Sequence, residues 1–235
     1  MSRDLKIIDF HSHILPCVDH GSDGIKTSEY QVALMNTAGV DTVVLTPHFY
    51  PNLNRVSVFK KEVSAAAEEL ISSCETRPRF CLGAEVLYCN GIEDMEGIDK
   101  LCIEGTNILL LELPISAEWN KAMIYAIKRM SVSYTIVLAH IDRYVGLHDR
   151  ALFSLLSEDN VWGQITASSL LRGKARRALS PYLKAGFVCA IGSDIHGKSK
   201  KCYRKFKKVR KALGEDNYSI IMTRSSELLE GAILY

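Results

Sequence analysis

The sequence predicts an α/β fold, a parallel sheet of about seven strands curled into a closed or nearly closed barrel with helices around it. Three observations carry this expectation. Short apolar runs alternate with longer helical patterns along the chain. The runs are near-continuously apolar rather than alternating, as strands covered on both faces are. Seven such runs, with no linker, repeat or low-complexity tract between them, suit one domain over residues 1–235 better than two.

The elements run in order along the chain. Leu5–Phe10 reads as the first strand. Thr27–Ala38 reads as a helix, stopped by Gly39, a residue that ends helices in a left-handed turn. Thr42–Leu45 is the second strand and halts at Pro47. Val56–Cys74 is a long helix with Phe59, Val63, Ala66, Leu70 and Ile71 along one face. Phe80–Leu82 and Ile108–Leu111 are strands, each with a glutamate close behind. Lys121–Met130 has a helical pattern, and Thr135–Leu138 is a strand that runs into Ala139-His140. Val161–Thr166 and Phe187–Ile191 complete the set, with the helix-like Lys174–Ala185 between them.

Bulk composition narrows the class. With 235 residues, 47% hydrophobic and 24% charged, the chain is an ordinary soluble type, long enough to bury a substantial core. A net charge of +2 favours no class of partner. The apolar stretch "ILLLELP" is broken by Glu112, so no run reaches membrane-spanning length. The first apolar stretch is interrupted by Lys6 and Asp9, unlike a signal peptide, so the cytoplasm is the expected location. Seven cysteines without Cys-x-x-Cys spacing make neither a disulfide framework nor a zinc ribbon. Most are expected to be buried thiols.

The residues at the C-terminal end of each strand point to chemistry. The first strand ends at His11-Ser12-His13, the second at Thr46-Pro47-His48, the third at Gly83-Ala84-Glu85. The fourth ends at Glu112-Leu113-Pro114, the fifth at Ala139-His140, the last at Ser193-Asp194-Ile195-His196. In a parallel barrel these ends converge on one face, where active sites lie. Each piece alone is weak, since a lone histidine is more often structural and a strand-end acid is more often solvated. Five of the seven histidines at one kind of position are hard to obtain from unrelated structural roles. Imidazoles and carboxylates without thiolates suit zinc, manganese or iron. The nine candidates, His11, His13, Asp19, His48, Glu85, Glu112, His140, Asp194 and His196, are too many for one ion and suit two or three. Such a cluster acidifies water and holds phosphate oxygens.

The stretch "DFHSHILPCVDHG" and the later "TPHFY", "GAEV", "LLLELP", "AHIDRY", "QITASSL" and "GSDIH" resemble the polymerase-and-histidinol-phosphatase (PHP) superfamily. They are most similar to the bacterial tyrosine-protein phosphatases of capsule and exopolysaccharide operons. Order and spacing match over residues 9–196 and only loosely beyond 197. The resemblance implies the PHP fold, a distorted seven-stranded (β/α) TIM-like barrel, and a trinuclear site. His11, His13, Glu85 and Asp194 would hold one ion, Glu85, Glu112 and His140 a second, and Asp19, His48 and His196 a third. Arg143 would contact the substrate phosphate. Manganese is the first expectation, with iron or zinc as alternatives. A hydroxide bridging two metals would attack phosphotyrosine in protein, and the expected partner is the tyrosine-rich tail of a bacterial tyrosine kinase, not a specific nucleic acid. The rivals are a small-molecule phosphatase of the histidinol-phosphate type, a PHP phosphodiesterase or exonuclease, an amidohydrolase, and a non-catalytic scaffold that keeps its metals.

Three departures from that pattern stand out. Asp19 is followed by His20, where a second acid is usual, and Ile141-Asp142 replaces a Pro-Glu pair before Arg143. A late arginine gives way to lysines, of which Lys201 has the spacing to meet phosphate as a point charge. The segment 198–211 holds nine lysines and arginines. It is either a helix with a solvated basic face, Phe206, Val209 and Leu213 turned inward, or a basic rim that guides an anionic substrate. No cysteine has arginine six positions on, so the thiolate loop of cysteine-dependent phosphatases is absent and Cys17 is expected to be a loop-packing residue. There is no Walker A motif and no Gly-x-Ser-x-Gly elbow.

Overall fold

Strands form wherever the sequence is continuously apolar, because parallel pairing with helices on the outside buries both of their faces. The structure, a computed structural model, describes residues 5–116, 118–198 and 200–235, without the side chains of residues 200–202, 204 and 205. The strands are β1 (Ile8–Ser12), β2 (Thr42–Leu45), β3 (His48–Phe49), β4 (Arg79–Leu82), β5 (Glu85–Leu87), β6 (Ile108–Glu112), β7 (Thr135–Leu138), β8 (Val161–Thr166) and β9 (Val188–Gly192). Every pairing between them is parallel. One sheet runs β1-β2-β4 and the other β3-β5-β6-β7-β8-β9.

The two sheets form one ring. β3 extends β2 past Thr46-Pro47, and β5 extends β4 past Gly83-Ala84. Backbone hydrogen bonds bridge the breaks, from Gly83 N to Leu45 O at 2.9 Å and from Glu85 N to Pro47 O at 3.0 Å. The seam between last and first strands is held by Asp194 N, which donates to His11 O at 2.9 Å. Nine short strands therefore occupy seven positions. Helices α1 (Ile25–Ala38), α2 (Val56–Ser73), α3 (Lys121–Met130), α4 (Asp149–Leu156), α5 (Ala167–Leu170), α6 (Gly173–Lys184), α7 (Lys200–Leu213) and α8 (Glu215–Leu228) complete the fold. α1 ends at Gly39, whose φ of 73° is the left-handed turn expected there. On α7, Tyr203, Phe206, Val209 and Leu213 are buried. Among the described residues, no helix is long and apolar enough to cross a membrane.

Several boundaries differ from the sequence reading. β1 begins at Ile8 instead of Leu5 and continues to Ser12; β6 continues to Glu112, and β9 is shifted one residue to Val188–Gly192. Hydrophobic runs stop at the first polar residue, whereas the hydrogen-bonded ladder carries on into polar residues that are buried for other reasons. His48 and Glu85, expected in loops, lie in the short strands β3 and β5. α1 starts earlier, at Ile25, α2 ends at Ser73, and α6 spans Gly173–Lys184. The helices α4 and α8 were not anticipated. Cys17 corrects another expectation. It is exposed rather than packed, at a turn where its φ is 57°. Cys81, Cys102 and Cys189 are buried, and Cys74 and Cys89 half-buried. Burial pushes the Cys81 thiol up to about 11 and that of Cys102 up to about 12, which leaves them inert as nucleophiles.

A buried carboxylate fastens the seam. Asp9 Oδ1 accepts from Ser193 N at 2.7 Å, and Oδ2 accepts from the Tyr203 hydroxyl at 2.8 Å. One acid thus ties β1, the segment after β9, and α7 together. Burial raises its pKa against those hydrogen bonds.

The seam also requires Gly192. A Cβ there would lie 2.5 Å from His11 Cβ and 2.6 Å from Gln164 Nε2. Gly192→Ala is therefore expected to destabilise the protein by about 1–3 kcal/mol, the usual cost of overpacking. Urea unfolding measures this, and an unchanged midpoint would contradict so close an approach.

Candidate metal centre

The C-terminal strand ends bring the polar residues together. Glu85, only 1% exposed, sits at the middle. Its Oε2 lies 3.2 Å from His11 Nε2, 3.3 Å from His13 Nε2 and 2.8 Å from His48 Nδ1. Its Oε1 lies 2.8 Å from His140 Nε2, which is also 3.3 Å from Glu112 Oε1. Asp194 Oδ1 is 3.6 Å from His13 Nε2 and 3.6 Å from His196 Nδ1. Among the described residues, three sets of donor atoms lie within 4.8 Å of one another and could each hold a metal ion: His11, His13 and Glu85; His48, Glu85 and Glu112; His13, His48 and His196.

Asp19 occupies a different place. Its Oδ2 meets His13 Nδ1 at 2.8 Å and accepts from His48 N at 3.0 Å, while Oδ1 accepts from Gly21 N at 2.8 Å. Arg143 stands at the rim, 37% exposed, donating to Asp194 and lying 3.5 Å from Glu112 Oε1. Lys201 lies outside the described side chains.

The donor chemistry fits divalent cations. His11 Nδ1 is engaged by Gln164 Oε1 at 3.1 Å and His13 Nδ1 by Asp19, so both rings turn Nε2 toward the same space, 2.9 Å apart. Metal-bound histidines are held in this way through their far nitrogen. His48 Nδ1, Glu85 Oε2, Asp194 Oδ1 and His196 Nε2 are buried with no hydrogen-bond partner. His48 Nδ1 and Glu85 Oε2 are close, yet not aligned for a hydrogen bond. Four orphaned polar atoms in one place are costly unless something else satisfies them. The backbone is strained at two of these positions, with φ of 33° at His140 and 51° at Asp194. Non-glycine residues in that region cost about 1–3 kcal/mol each and tend to mark functional sites.

Without cations, protons fill the cluster. Burial opposes a charged His13, but its hydrogen bond to Asp19 and the negative charge of the adjacent Glu85 push it up to about 10. His140 rises against burial to about 9 beside Glu112 and Glu85. Burial would raise Glu85, yet His11, His13 and His140 hold it well below the carboxylate range. Asp194 is lowered against burial by His11 and Arg143. His196 moves the other way, to about 4, through burial and the charge on His13.

The sequence reading left several residues without a role. Gln164 is the most consequential, since the same Oε1 that engages His11 accepts His140 N at 2.7 Å. Its signal was an amide in the middle of an apolar strand, "VWGQIT". Asp9 gave a similar one inside "IIDF". The Tyr144 hydroxyl accepts from Leu113 N at 2.8 Å and approaches His140 Nδ1 at 3.4 Å. His20 is exposed, with its ring stacked 4.8 Å from that of His48 and 4.6 Å from that of His196. Tyr50 stacks on His48 at 5.4 Å. Asp142 supports the rim, accepting from Thr166 N and from the Ser169 hydroxyl.

These shifts set a pH dependence for the metal-free protein. The folded pKa values of His13 and His140 lie above the unfolded 6.5, so their stabilisation is complete below pH 6.5. It is lost as the pH rises through about 9 and about 10. Chelator-treated protein should therefore lose melting temperature steadily between pH 6.5 and 10. A flat profile over that window would contradict the proton-filled cluster.

Comparisons with known proteins agree with this architecture. The family described as "Capsular polysaccharide synthesis, CpsB/CapC" matches residues 7–230. The tyrosine-protein phosphatase YwqE of Bacillus subtilis is 28% identical over 203 residues, covering 81% of this chain and 77% of YwqE. The tyrosine-protein phosphatase CpsB of Streptococcus pneumoniae is 25% identical over 206 residues, 81% of this chain and 83% of CpsB. A crystal structure from work on YwqE and on CpsB from S. pneumoniae, described there as metal-dependent tyrosine phosphatases, superposes with a TM-score of 0.81 at 18% identity, over 97% of this chain and 96% of that one. An amidohydrolase from Mycoplasma synoviae shares the barrel more distantly, with a TM-score of 0.55 at 12% identity, over 96% and 88%. The chain belongs to the CpsB/CapC family of capsular polysaccharide synthesis.

Proposed function

We propose that this chain is a metal-dependent phosphatase that hydrolyses phosphotyrosine in protein. The observation that carries the reading is the convergence of imidazoles and carboxylates on Glu85, with four of their donor atoms buried and unpartnered. The named activity of the relatives YwqE and CpsB supports it. In this proposal His11, His13, Glu85 and Asp194 serve one ion, Glu85, Glu112 and His140 another, and Asp19, His48 and His196 a third. Two or three ions are accommodated, with manganese first and iron or zinc as alternatives. Residues 1–235 act as a single catalytic domain.

Bound divalent ions would neutralise phosphate oxygens and make water acidic enough to supply the attacking hydroxide at neutral pH. The chain's own residues prepare that chemistry. Gln164 and Asp19 fix the tautomers of His11 and His13 and direct Nε2 inward. Arg143, steadied by Asp194, has further N–H donors for a phosphate oxygen at the exposed rim. The rings of His20, His48 and Tyr50 give the mouth an aromatic wall on which a phenol ring can stack. The capsule-synthesis family supports a cytoplasmic role on the tyrosine-rich tail of a bacterial tyrosine kinase that governs polysaccharide export.

Metal analysis with parallel assays on a phosphotyrosine peptide and on histidinol phosphate tests the activity. The peptide should be the better substrate. Inactivity on both with metals loaded would refute a phosphatase, and preference for histidinol phosphate would establish the small-molecule rival. Two variants test the residue roles. Arg143→Ala should lower kcat/KM by about 100–1000-fold with metal content unchanged. Gln164→Leu should weaken metal affinity by roughly 10–100-fold, read by competition with a chelating dye. Unchanged metal affinity would remove Gln164 from the site.

A further inference from the structure

We infer that a groove beside the metal centre, between α6 and the 142–153 segment, binds an acidic stretch of the substrate protein flanking its phosphotyrosine. The inference rests on the phosphatase reading for the identity of that substrate. Two adjoining cavities of about 320 Å³ and 440 Å³ form the groove, and Val145 and Ala178 line both. The floor is apolar. Phe153 lies in it 44% exposed, against the edge of Phe187. The rim is basic. Lys174 lines the first cavity and Arg150 the second.

Charge identifies the occupant. α6, "GKARRALSPYLK", carries Lys174, Arg176, Arg177 and Lys184 and no acid. Among the described residues, Arg150, Lys174, Arg176 and Arg177 take part in none of the ion pairs, which lie elsewhere. The acids in its lining, Asp142 and Asp149, keep their charge, are held by neutral donors and are outnumbered by Arg150, Arg172 and Lys174. Asp142 accepts from Thr166 N and the Ser169 hydroxyl. Asp149 accepts from Gly146 N and the Tyr182 hydroxyl. The groove and the adjoining Arg176 and Arg177 of α6 therefore carry an excess of positive charge beside an apolar floor, which matches a peptide bearing Asp or Glu with an interspersed apolar side chain. A flat membrane or a nucleic-acid backbone would make little use of a recessed aromatic floor.

Position links the groove to the reaction. Asp142, in its wall, immediately precedes Arg143 at the rim of the metal centre. An extended chain advances about 3.3–3.6 Å per residue. A substrate chain that leaves the metal centre past Arg143 would meet the wall that Asp142 begins and run toward Lys174 and Arg150.

The test uses the full metal-loaded protein and the double variant Arg150→Glu/Lys174→Glu. Substrates are two phosphotyrosine peptides, one with Asp/Glu flanks and one with Lys flanks, and p-nitrophenyl phosphate as a flank-free control. Two exposed ion pairs of modest worth should make the acidic peptide about tenfold better in kcat/KM, mainly through KM. The double variant should abolish or invert that preference and leave p-nitrophenyl phosphate turnover unchanged. Fluorescence anisotropy of a labelled, unphosphorylated acidic peptide gives a second readout, with binding by the wild type that weakens in salt and in the variant. Turnover of both peptides at equal kcat/KM, with no such binding, would overturn the groove and leave the phosphatase intact. Binding by the wild type alone, without turnover of any phosphopeptide, would uphold the groove and refute the phosphatase. Retention of phosphatidylserine vesicles through Arg150 and Lys174, with no peptide binding, would overturn the inference in favour of a membrane surface.

Discussion

Everything at the open end of this barrel depends on a single buried carboxylate. Glu85 is almost wholly inaccessible, and the ring nitrogens of His11, His13, His48 and His140 all lie within 3.3 Å of its oxygens. A bare carboxylate in that position would be expensive, because an unpaired buried charge loses its hydration without compensation. Positive charge must therefore enter the cluster, as protons on His13 and His140 or as metal ions. That requirement explains why imidazoles from several strand ends face one point, and why β9 presses so close to His11 that only glycine fits at 192. It also accounts for the left-handed backbone at His140 and Asp194, a local cost borne where side chains must be aimed.

A second tier of residues keeps that aim. Gln164 spans β8 to both His11 and the backbone of His140, and Asp19 does the same for His13 and the backbone of His48. Asp9 binds the seam from below through Ser193 and Tyr203. These links connect first strand, last strands and α7, so the geometry of the site and the closure of the barrel are one structural problem. Loss of such a link is felt as a misdirected imidazole before it is felt as unfolding.

Much of this was legible in the sequence, for a definite reason. Fully buried strands leave unbroken apolar runs, and a barrel sends every strand's C-terminal end to one face, so His11, His48, Glu85, Glu112, His140 and Asp194 could be grouped with no knowledge of distances. Their partition was less legible. His13 falls into one donor set with His48 and His196 while Asp19 is hydrogen-bonded to it, and such grouping depends on side-chain direction, which strand order does not encode. Strand ends were misplaced because hydrophobicity stops where the ladder does not, as at Ser12 and Glu112. Gln164 and Asp9 were visible as polar residues inside apolar strands, but their partners lie 153 and 184 residues away in the chain. His20 follows Asp19 in the opening loop, and its place in a stack of imidazoles comes from the loop's path rather than from local pattern.

The charge required around Glu85 is expected to come from metal ions. Anomalous diffraction from crystals grown with manganese, recorded on both sides of the manganese absorption edge, tests this directly. At least two anomalous peaks are expected, with the Glu85 carboxylate between them, His11 and His13 beside one and His140 and Glu112 beside another. A map with no peak among these residues, or with manganese bound only elsewhere on the protein, would contradict it.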